Sequence, residues 1–305
     1  MKTDPRNLLN INPEMVQRIL VDCIRHTGEA ITGNPRGRWV VNLSGGLDSA
    51  ISAFLAAEAV GPENVRALLL PYRLSSPDSK NDAMQVVKAL GIDYRVMEIT
   101  SAVDGLYAAK GLEVDDVALR ARGNVMARMR MIFGYEECER WGALMLGTSN
   151  KTEALLGYTT IWGDSASALN LIADLYKTQV RQLARAIGVP AVVVEKAPSA
   201  DLEPNQTDES DLGFSYYALD SVLVRFVDHL MLPDEIKAEL WAEQGELGVA
   251  WDACVDKVCG LSNEELMKPG LVDIMEYKRR LTPIVPKISR ATIETDYRPP
   301  KQWGR

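Results

Sequence analysis

Residues Ser44, Gly45, Gly46, Leu47, Asp48 and Ser49 follow an apolar run from Trp39 to Leu43 and precede a segment of small residues. Two adjacent glycines let backbone N–H groups approach an anion without obstruction by a Cβ. The hydroxyls of Ser44 and Ser49 add donors at a helix N-terminus, whose dipole favours negative charge. The chemistry this suits is pyrophosphate binding. Asp48 alone would repel phosphate, but it becomes a ligand once Mg2+ bridges the two, because that ion prefers hard oxygen donors. A Gly-Gly pair after a strand is by itself as often a tight connection as an anion site. The longer string is more specific: it lacks the Gly-Lys-Ser/Thr of a Walker loop and the spaced glycines of the dinucleotide fingerprint. A nucleophile elbow at Asn42-Leu43-Ser44-Gly45-Gly46 would need a histidine base. Of the two histidines, His26 lies upstream and His229 lies in an apolar helical stretch that reads as a packed position.

The elements that must position this turn follow from periodicity. Met15, Val16, Ile19, Leu20, Cys23 and Ile24 recur at helical spacing and predict an amphipathic N-terminal helix, packed on the core or on a partner subunit. A first strand is expected over 39–43, a helix over 50–60 closed by Gly61-Pro62, and a buried strand over 65–70. Ser76-Pro77 should cap a helix ending near Leu90-Gly91. A third strand is expected over 93–99, a long helix from about residue 114 to 141, and a fourth strand over 143–146, leading into Gly147-Thr148-Ser149-Asn150.

This alternation implies an α/β fold with a doubly wound parallel sheet of about five strands flanked by helices. Ligands in such sheets gather at the carboxyl ends of the strands, so the loops at Ser44, Tyr72-Arg73 and Thr148 should converge on one crevice. After Ile187 the pattern turns helical, with the acidic stretch Ser199 to Asp211 expected as a mobile loop. A single domain over 1–305 is expected: an N-terminal helix within 1–38, a core over 39–200 and a mainly helical region over 201–305.

Composition sets the setting. The chain has 305 residues, enough to bury a full core without disulfides. Cys23, Cys138, Cys254 and Cys259 are scattered without the spacing or companion ligands of a zinc site, and read as free thiols in a reducing cytoplasm. No secretory leader is visible and no apolar run approaches the roughly 18 residues of a bilayer span. A cytoplasmic location away from membranes is therefore expected. A net charge of −8, with no concentrated basic face, argues against a nucleic-acid partner.

On the Ser44–Ser49 string the chain resembles the ATP pyrophosphatases, which cleave ATP between the α and β phosphates to adenylate a substrate. Further segments, in order, narrow the resemblance to the NAD synthetase family. They are Gly123-Asn124-Val125-Met126-Ala127-Arg128-Met129-Arg130-Met131, Gly147-Thr148-Ser149-Asn150-Lys151-Thr152-Glu153, and Gly157-Tyr158 through Gly163-Asp164. Tyr176-Lys177-Thr178-Gln179, Pro198-Ser199-Ala200-Asp201-Leu202 and Glu276-Tyr277-Lys278-Arg279-Arg280 follow.

The resemblance implies that deamido-NAD, ATP and ammonia are converted to NAD, AMP and pyrophosphate through an adenylated intermediate. It implies Asp48 and Glu153 as Mg2+ ligands, with Asn42, Leu43, Ser44, Gly45, Gly46, Leu47, Asp48, Ser49, Thr148, Lys177 and Ser199 around ATP. Asn124, Arg128, Asp164, Tyr277 and Lys278 would contact deamido-NAD. Asp164 would position ammonia or take its proton, and Lys177 would neutralise phosphate charge. The loops Arg73 to Lys80 and Ser199 to Asp211 would close over the adenylate. A homodimer with the dinucleotide near its interface is also implied.

Departures qualify the match. Many stand-alone members carry lysine, aspartate and histidine where this chain has Ile161, Ala168 and Tyr277. Gly-Thr-Ser-Asn-Lys and Glu-Tyr-Lys-Arg-Arg look more like the synthetase half of glutamine-dependent members. With 38 residues before the first strand there is no room for a glutaminase domain, so free ammonia is the expected nitrogen donor. A separate glutaminase subunit is the alternative source. Another ATP-pyrophosphatase ligase is the rival reading, although an RNA-thiolating one should show paired cysteines and a basic face. A nucleotide-binding regulatory module would leave Asp164 and the carboxylates without a purpose.

Overall fold

A computed structural model describes residues 8–198, 207–244, 250–261 and 268–275. The first helix, α1 (Pro13–Thr32), starts where Asn12 accepts the Met15 N–H and Pro13 fills the first helical position. Next come β1 (Arg38–Asn42), α2 (Leu47–Val60), β2 (Val65–Leu69), α3 (Pro77–Leu90), β3 (Asp93–Val96) and α4 (Thr100–Ala109). They are followed by α5 (Leu119–Trp141), β4 (Ala143–Gly147), α6 (Lys151–Leu156), β5 (Leu169–Asn170), α7 (Lys177–Ala186) and α8 (Ala191–Val194). The rest is mainly helical: α9 (Asp208–Leu212), α10 (Tyr216–Leu223), a π-helical stretch Val224–Asp228, α11 (Pro233–Gln244) and α12 (Trp251–Cys259). A small hairpin of β6 (Gly260–Leu261) and β7 (Lys268–Pro269) precedes α13 (Leu271–Ile274).

Five parallel strands stand in the order β3-β2-β1-β4-β5. The chain runs outward from β1 to β3 and returns to the other side of β1, so the switch point lies between β1 and β4. In register, Val41 sits between Ala67 and Leu146, which brings the ends of β1, β2 and β4 to one level. Period-two alternation divides the strands between two layers. Trp39 and Val41 join Leu20, Ile24, Ile51, Leu55 and Leu183 under α1, α2 and α7, whereas Val40 joins Val103, Met126 and Cys138 under α4 and α5. A separate apolar cluster around Tyr216, Leu240, Trp251 and Val258 organises the C-terminal helices and takes in Leu155, Leu156 and Tyr176 beside the sheet.

Several sequence expectations are corrected. Helix α2 begins at Leu47, so Asp48 and Ser49 already lie in its first turn. Strand β3 stops at Val96, and residues 100–109 form a helix capped by Lys110, after which the chain turns at Gly111, whose φ of +67° only glycine adopts readily. The long helix starts at Leu119 rather than near 114, where a single 3-10 turn spans Val114–Asp116. Part of the acidic stretch is helical, as α9, capped by Thr207. On α1, Met15 and Ile19 are exposed while Val16, Leu20 and Ile24 carry the packing. His229 is exposed just past the π segment and is not a packed histidine. Among the described residues no helix is long and apolar enough to cross a membrane.

Candidate active site

The turn after β1 is shaped by its own hydroxyls. Ser44 N–H donates to Ser49 Oγ at 3.2 Å, Ser49 Oγ donates to Gly46 O at 3.1 Å, and Gly46 N–H donates to Ser44 Oγ at 3.2 Å. Gly45 has φ +85°, and a Cβ there would lie 2.1 Å from Ser79 O, so α3 packs against the turn too closely for any side chain. Leu43 and Leu47 are buried in the core and offer the crevice only their backbone. The Asn42 amide donates to Arg130 O at 3.2 Å, tying the end of β1 to α5. The first N–H groups of α2 have no carbonyl within the helix to meet, and they open at the crest of the sheet.

Asp48 projects from this helix start into a buried charge cluster. Lys177, the first residue of α7 and 3 % exposed, ion-pairs with Asp48 Oδ2 and with Glu153 Oε1, the latter at 3.2 Å. Asn150 Nδ2 donates to Asp48 Oδ1 at 3.0 Å, and Asn150 Oδ1 accepts the Glu153 N–H at 3.0 Å. Glu153 Oε2 accepts the Asn150 N–H at 3.4 Å, completing a capping box that orients both side chains. Beyond Lys177 lies Asp208, which accepts from Tyr216 Oη at 3.1 Å and Tyr158 Oη at 3.2 Å, and the Tyr216 ring centroid is 5.0 Å from Lys177 Nζ.

Two carboxylates thus pair with one ammonium, and the charge of Asp208 acts on it from farther off. Burial, then the charges of Asp48 and Asp208, push the Glu153 carboxyl up to about 8 against the pull of Lys177. Burial would lower Lys177, yet Asp48 and Glu153 outweigh it and the amine is raised. Asp208 is raised too, by burial, with Lys177 and the two tyrosine hydroxyls opposing. Burial and the crowding of these acids around one lysine raise the Glu153 and Asp208 carboxyls, and a divalent cation among them would relieve that repulsion. Among the described residues no three metal-binding side chains form a ready cage. Asp48 and Glu153 still suit Mg2+, which takes one or two protein carboxylates and fills its other positions with water and phosphate.

A second group gathers on the neighbouring loop. Thr160 Oγ1 donates to Asn124 Oδ1 of α5 at 2.8 Å, and the Thr160 N–H donates to Asp164 Oδ1 at 2.6 Å. Arg128, one turn along α5 from Asn124, donates through Nε to Ile161 O at 3.2 Å. Gly163 permits this approach, since a Cβ there would lie 3.0 Å from Ala127 Cβ. Asn124 and Arg128 on α5 therefore hold the loop that carries Asp164, which is exposed. Ile161 meets Arg128 through its backbone, a contact any residue could make.

The sequence-predicted residues divide accordingly. Asp48, Glu153 and Lys177 come together; Asn124, Arg128 and Asp164 form the second group; Thr148 is half-buried at the end of β4. Ser199, Tyr277 and Lys278 lie outside the described residues. The expected lid from Arg73 to Lys80 is partly helix, with Ser79 fixed against Gly45 and the Arg73 N–H bonded to Thr100 Oγ1 at 2.9 Å. Asn150, Thr160 and Asp208 fall within segments read from the sequence, where none of them carries a role of its own. The available signal was an acid next to a helix cap, Thr207-Asp208, in a chain otherwise rich in surface carboxylates.

The NAD synthase family model matches residues 19–249. A curated NH(3)-dependent NAD(+) synthetase of Trichlorobacter lovleyi is 43% identical over 298 residues, 97% of this chain and 99% of that protein. Among solved structures, the NH3-dependent NAD synthetase of Campylobacter jejuni has a TM-score of 0.62 at 29% identity, over 81% of this chain and 93% of that one. An NMN synthetase of Francisella tularensis has a TM-score of 0.65 at 28% identity, over 79% of this chain and 99% of that one.

Proposed function

The chain belongs to the NAD synthase family, and from that membership we infer that it makes NAD from deamido-NAD, ATP and ammonia, releasing AMP and pyrophosphate. The observation that carries the reading is the buried Asp48–Lys177–Glu153 cluster beside a glycine turn that opens a helix at the switch point of the sheet. That arrangement suits a triphosphate whose tail must be bound and then expelled.

A carboxylate is a poor acceptor for ammonia because its oxygen is a hopeless leaving group. Attack by the nicotinate oxygen on the α-phosphorus of ATP, with loss of pyrophosphate, converts that oxygen into part of AMP. In this first step the turn from Ser44 to Ser49 and the first N–H groups of α2 grip the phosphates. Lys177 supplies the fixed cation. Asp48 and Glu153 would hold a Mg2+ ion, which when bound neutralises phosphate charge. In the second step ammonia attacks the acyl carbon, AMP leaves, and the exposed Asp164 carboxylate takes the proton lost from nitrogen. Asn124 and Arg128 flank Asp164 and would orient the nicotinyl end. Closing the site against water protects the adenylate from hydrolysis.

Thr148 would touch the nucleotide from the end of β4, and Ser199, Tyr277 and Lys278 would complete the contacts as the resemblance implies. The C-terminal helices, sharing a core with α6, act with residues 39–200 as one unit. A homodimer and a cytoplasmic setting complete the proposal.

Purified protein with deamido-NAD, MgATP and ammonium should form NAD, AMP and pyrophosphate in equal amounts, the NAD being read by its reduction with alcohol dehydrogenase. Nicotinic acid mononucleotide in place of deamido-NAD tests for formation of NMN, the product for which the Francisella protein is named. Glutamine in place of ammonium tests the nitrogen donor. Absence of NAD with either donor overturns the reading.

A further inference from the structure

Asp220 is completely buried on α10, a helix of the C-terminal region, yet its two oxygens point back to the site. Oδ1 accepts from Thr152 Oγ1 at 2.5 Å and Oδ2 accepts the Thr178 N–H at 2.7 Å. Thr152 Oγ1 in turn accepts the Lys177 N–H at 2.9 Å. The carboxylate thus sits at the N-terminus of α7, meeting donors that no carbonyl of that helix can reach. Through Thr152 it also holds the first turn of α6. Those two helix starts carry Lys177 and Glu153.

The π-helical stretch that continues α10 makes a second hold on α6. Lys151 Nζ donates to Asp228 Oδ1 at 2.7 Å and pairs with Asp174 Oδ1 at 3.3 Å. Residues eight apart on a regular α-helix are turned about 80° from each other. Between Asp220 and Asp228 the chain passes into a π turn, closed by His229 N–H to Val224 O at 3.1 Å, and the extra residue removes most of that offset. Both carboxylates therefore address α6, where Lys151, Thr152 and Glu153 stand in succession.

We propose that Asp220 and Thr152 are positioning residues that set the distance between Glu153 and Lys177, making α10 part of the triphosphate site. The inference rests on the reading of Lys177 and Glu153 as the groups that handle the phosphates. Neither Asp220 nor Thr152 touches substrate. Their effect is on kcat, because a misplaced charge pair stabilises the transition state less while leaving ground-state contacts largely in place.

The test compares Thr152→Val, Thr152→Ser and Asp220→Asn with the unaltered chain. Valine keeps the shape of threonine but has no oxygen, whereas serine keeps the hydroxyl. In Thr152→Val and Asp220→Asn, kcat for pyrophosphate release should fall about a hundredfold with KM for MgATP within about threefold. Thr152→Ser should recover most of that loss. Lys177 reactivity toward trinitrobenzenesulfonate, mapped by peptide mass spectrometry with exposed Lys110 as internal standard, should rise on the order of tenfold in the two damaging variants. If Asp220→Asn does not fold, Thr152→Val decides. Unchanged Lys177 labelling in a folded variant overturns the proposal whatever the activity. If the unaltered chain makes no NAD, the assigned reaction fails and the labelling arm still decides this one.

Discussion

Lys177 and Asp48, 129 residues apart in sequence, form an ion pair at the crest of the sheet, and Glu153 shares the same ammonium. Removing one partner of a buried pair leaves an uncompensated charge, which costs about 3–5 kcal/mol. Lys177→Met should lose stability of that order in urea unfolding, together with pyrophosphate release. Adding Asp48→Asn should restore part of the stability and none of the activity. A Lys177→Met variant as stable as the parent would show the cluster to be solvated.

Gly45 should tolerate no substitution. Gly45→Ala places a methyl 2.1 Å from Ser79 O at a backbone φ of +85°. The strain, of order 1–3 kcal/mol, would be relieved by moving either the turn or α3. The expected outcome is folded protein whose KM for MgATP rises at least about tenfold. Normal steady-state kinetics for Gly45→Ala would count against the turn as the phosphate grip.

Asp164 separates the two half-reactions. Asp164→Asn keeps an oxygen that can accept the Thr160 N–H, so the loop should hold its shape while the proton acceptor is lost. Pyrophosphate release should survive and NAD formation should drop by about two to three orders of magnitude. Rapid-quench measurement of adenylate against NAD distinguishes the steps. Equal loss of both would assign Asp164 to substrate binding.

Burial pushes the Asp220 carboxyl up to about 6, with Thr152 and Thr178 opposing through hydrogen bonds. A carboxyl raised by folding binds more protons in the native state than in the unfolded chain between its ordinary value near 4 and about 6. Stability from this group is therefore present below that window and lost as pH rises through it. Asn cannot titrate, so the stability of the parent relative to Asp220→Asn should increase on going from pH 7 to pH 4. The slope between is expected to approach about 1.4 kcal/mol per pH unit. A difference independent of pH would refute the assignment.

The thiols offer a test of the fold. Cys138, Cys254 and Cys259 are buried, and burial pushes Cys138 and Cys254 up to about 12 and raises Cys259 further. Thiolate is the reactive form, so iodoacetamide at pH 8 should label Cys23 slowly and the other three hardly at all in native protein. All four should react in guanidinium. Fast native labelling of Cys254 would contradict the packing of α12.

The sequence by itself carried the parallel sheet, because alternating apolar strands and capped helices are local patterns that each segment expresses alone. It also marked the glycine turn and, by resemblance, Asp48, Glu153, Lys177 and Asp164. The positions of α4 and the start of α5 were not legible, because Val114 and Val117 are apolar at helical spacing whether or not the chain between 110 and 118 is helical.

What only the tertiary structure decided is who stands beside whom. That Lys177 is buried between two carboxylates, and that Thr160 joins Asn124 to Asp164, depends on contacts between segments whose separation in sequence leaves no periodic trace. Asp220 is the clearest case. One acid in an apolar helix reads as a surface charge until the fold brings the helix start of α7 against it, and burial then makes its hydrogen bonds obligatory.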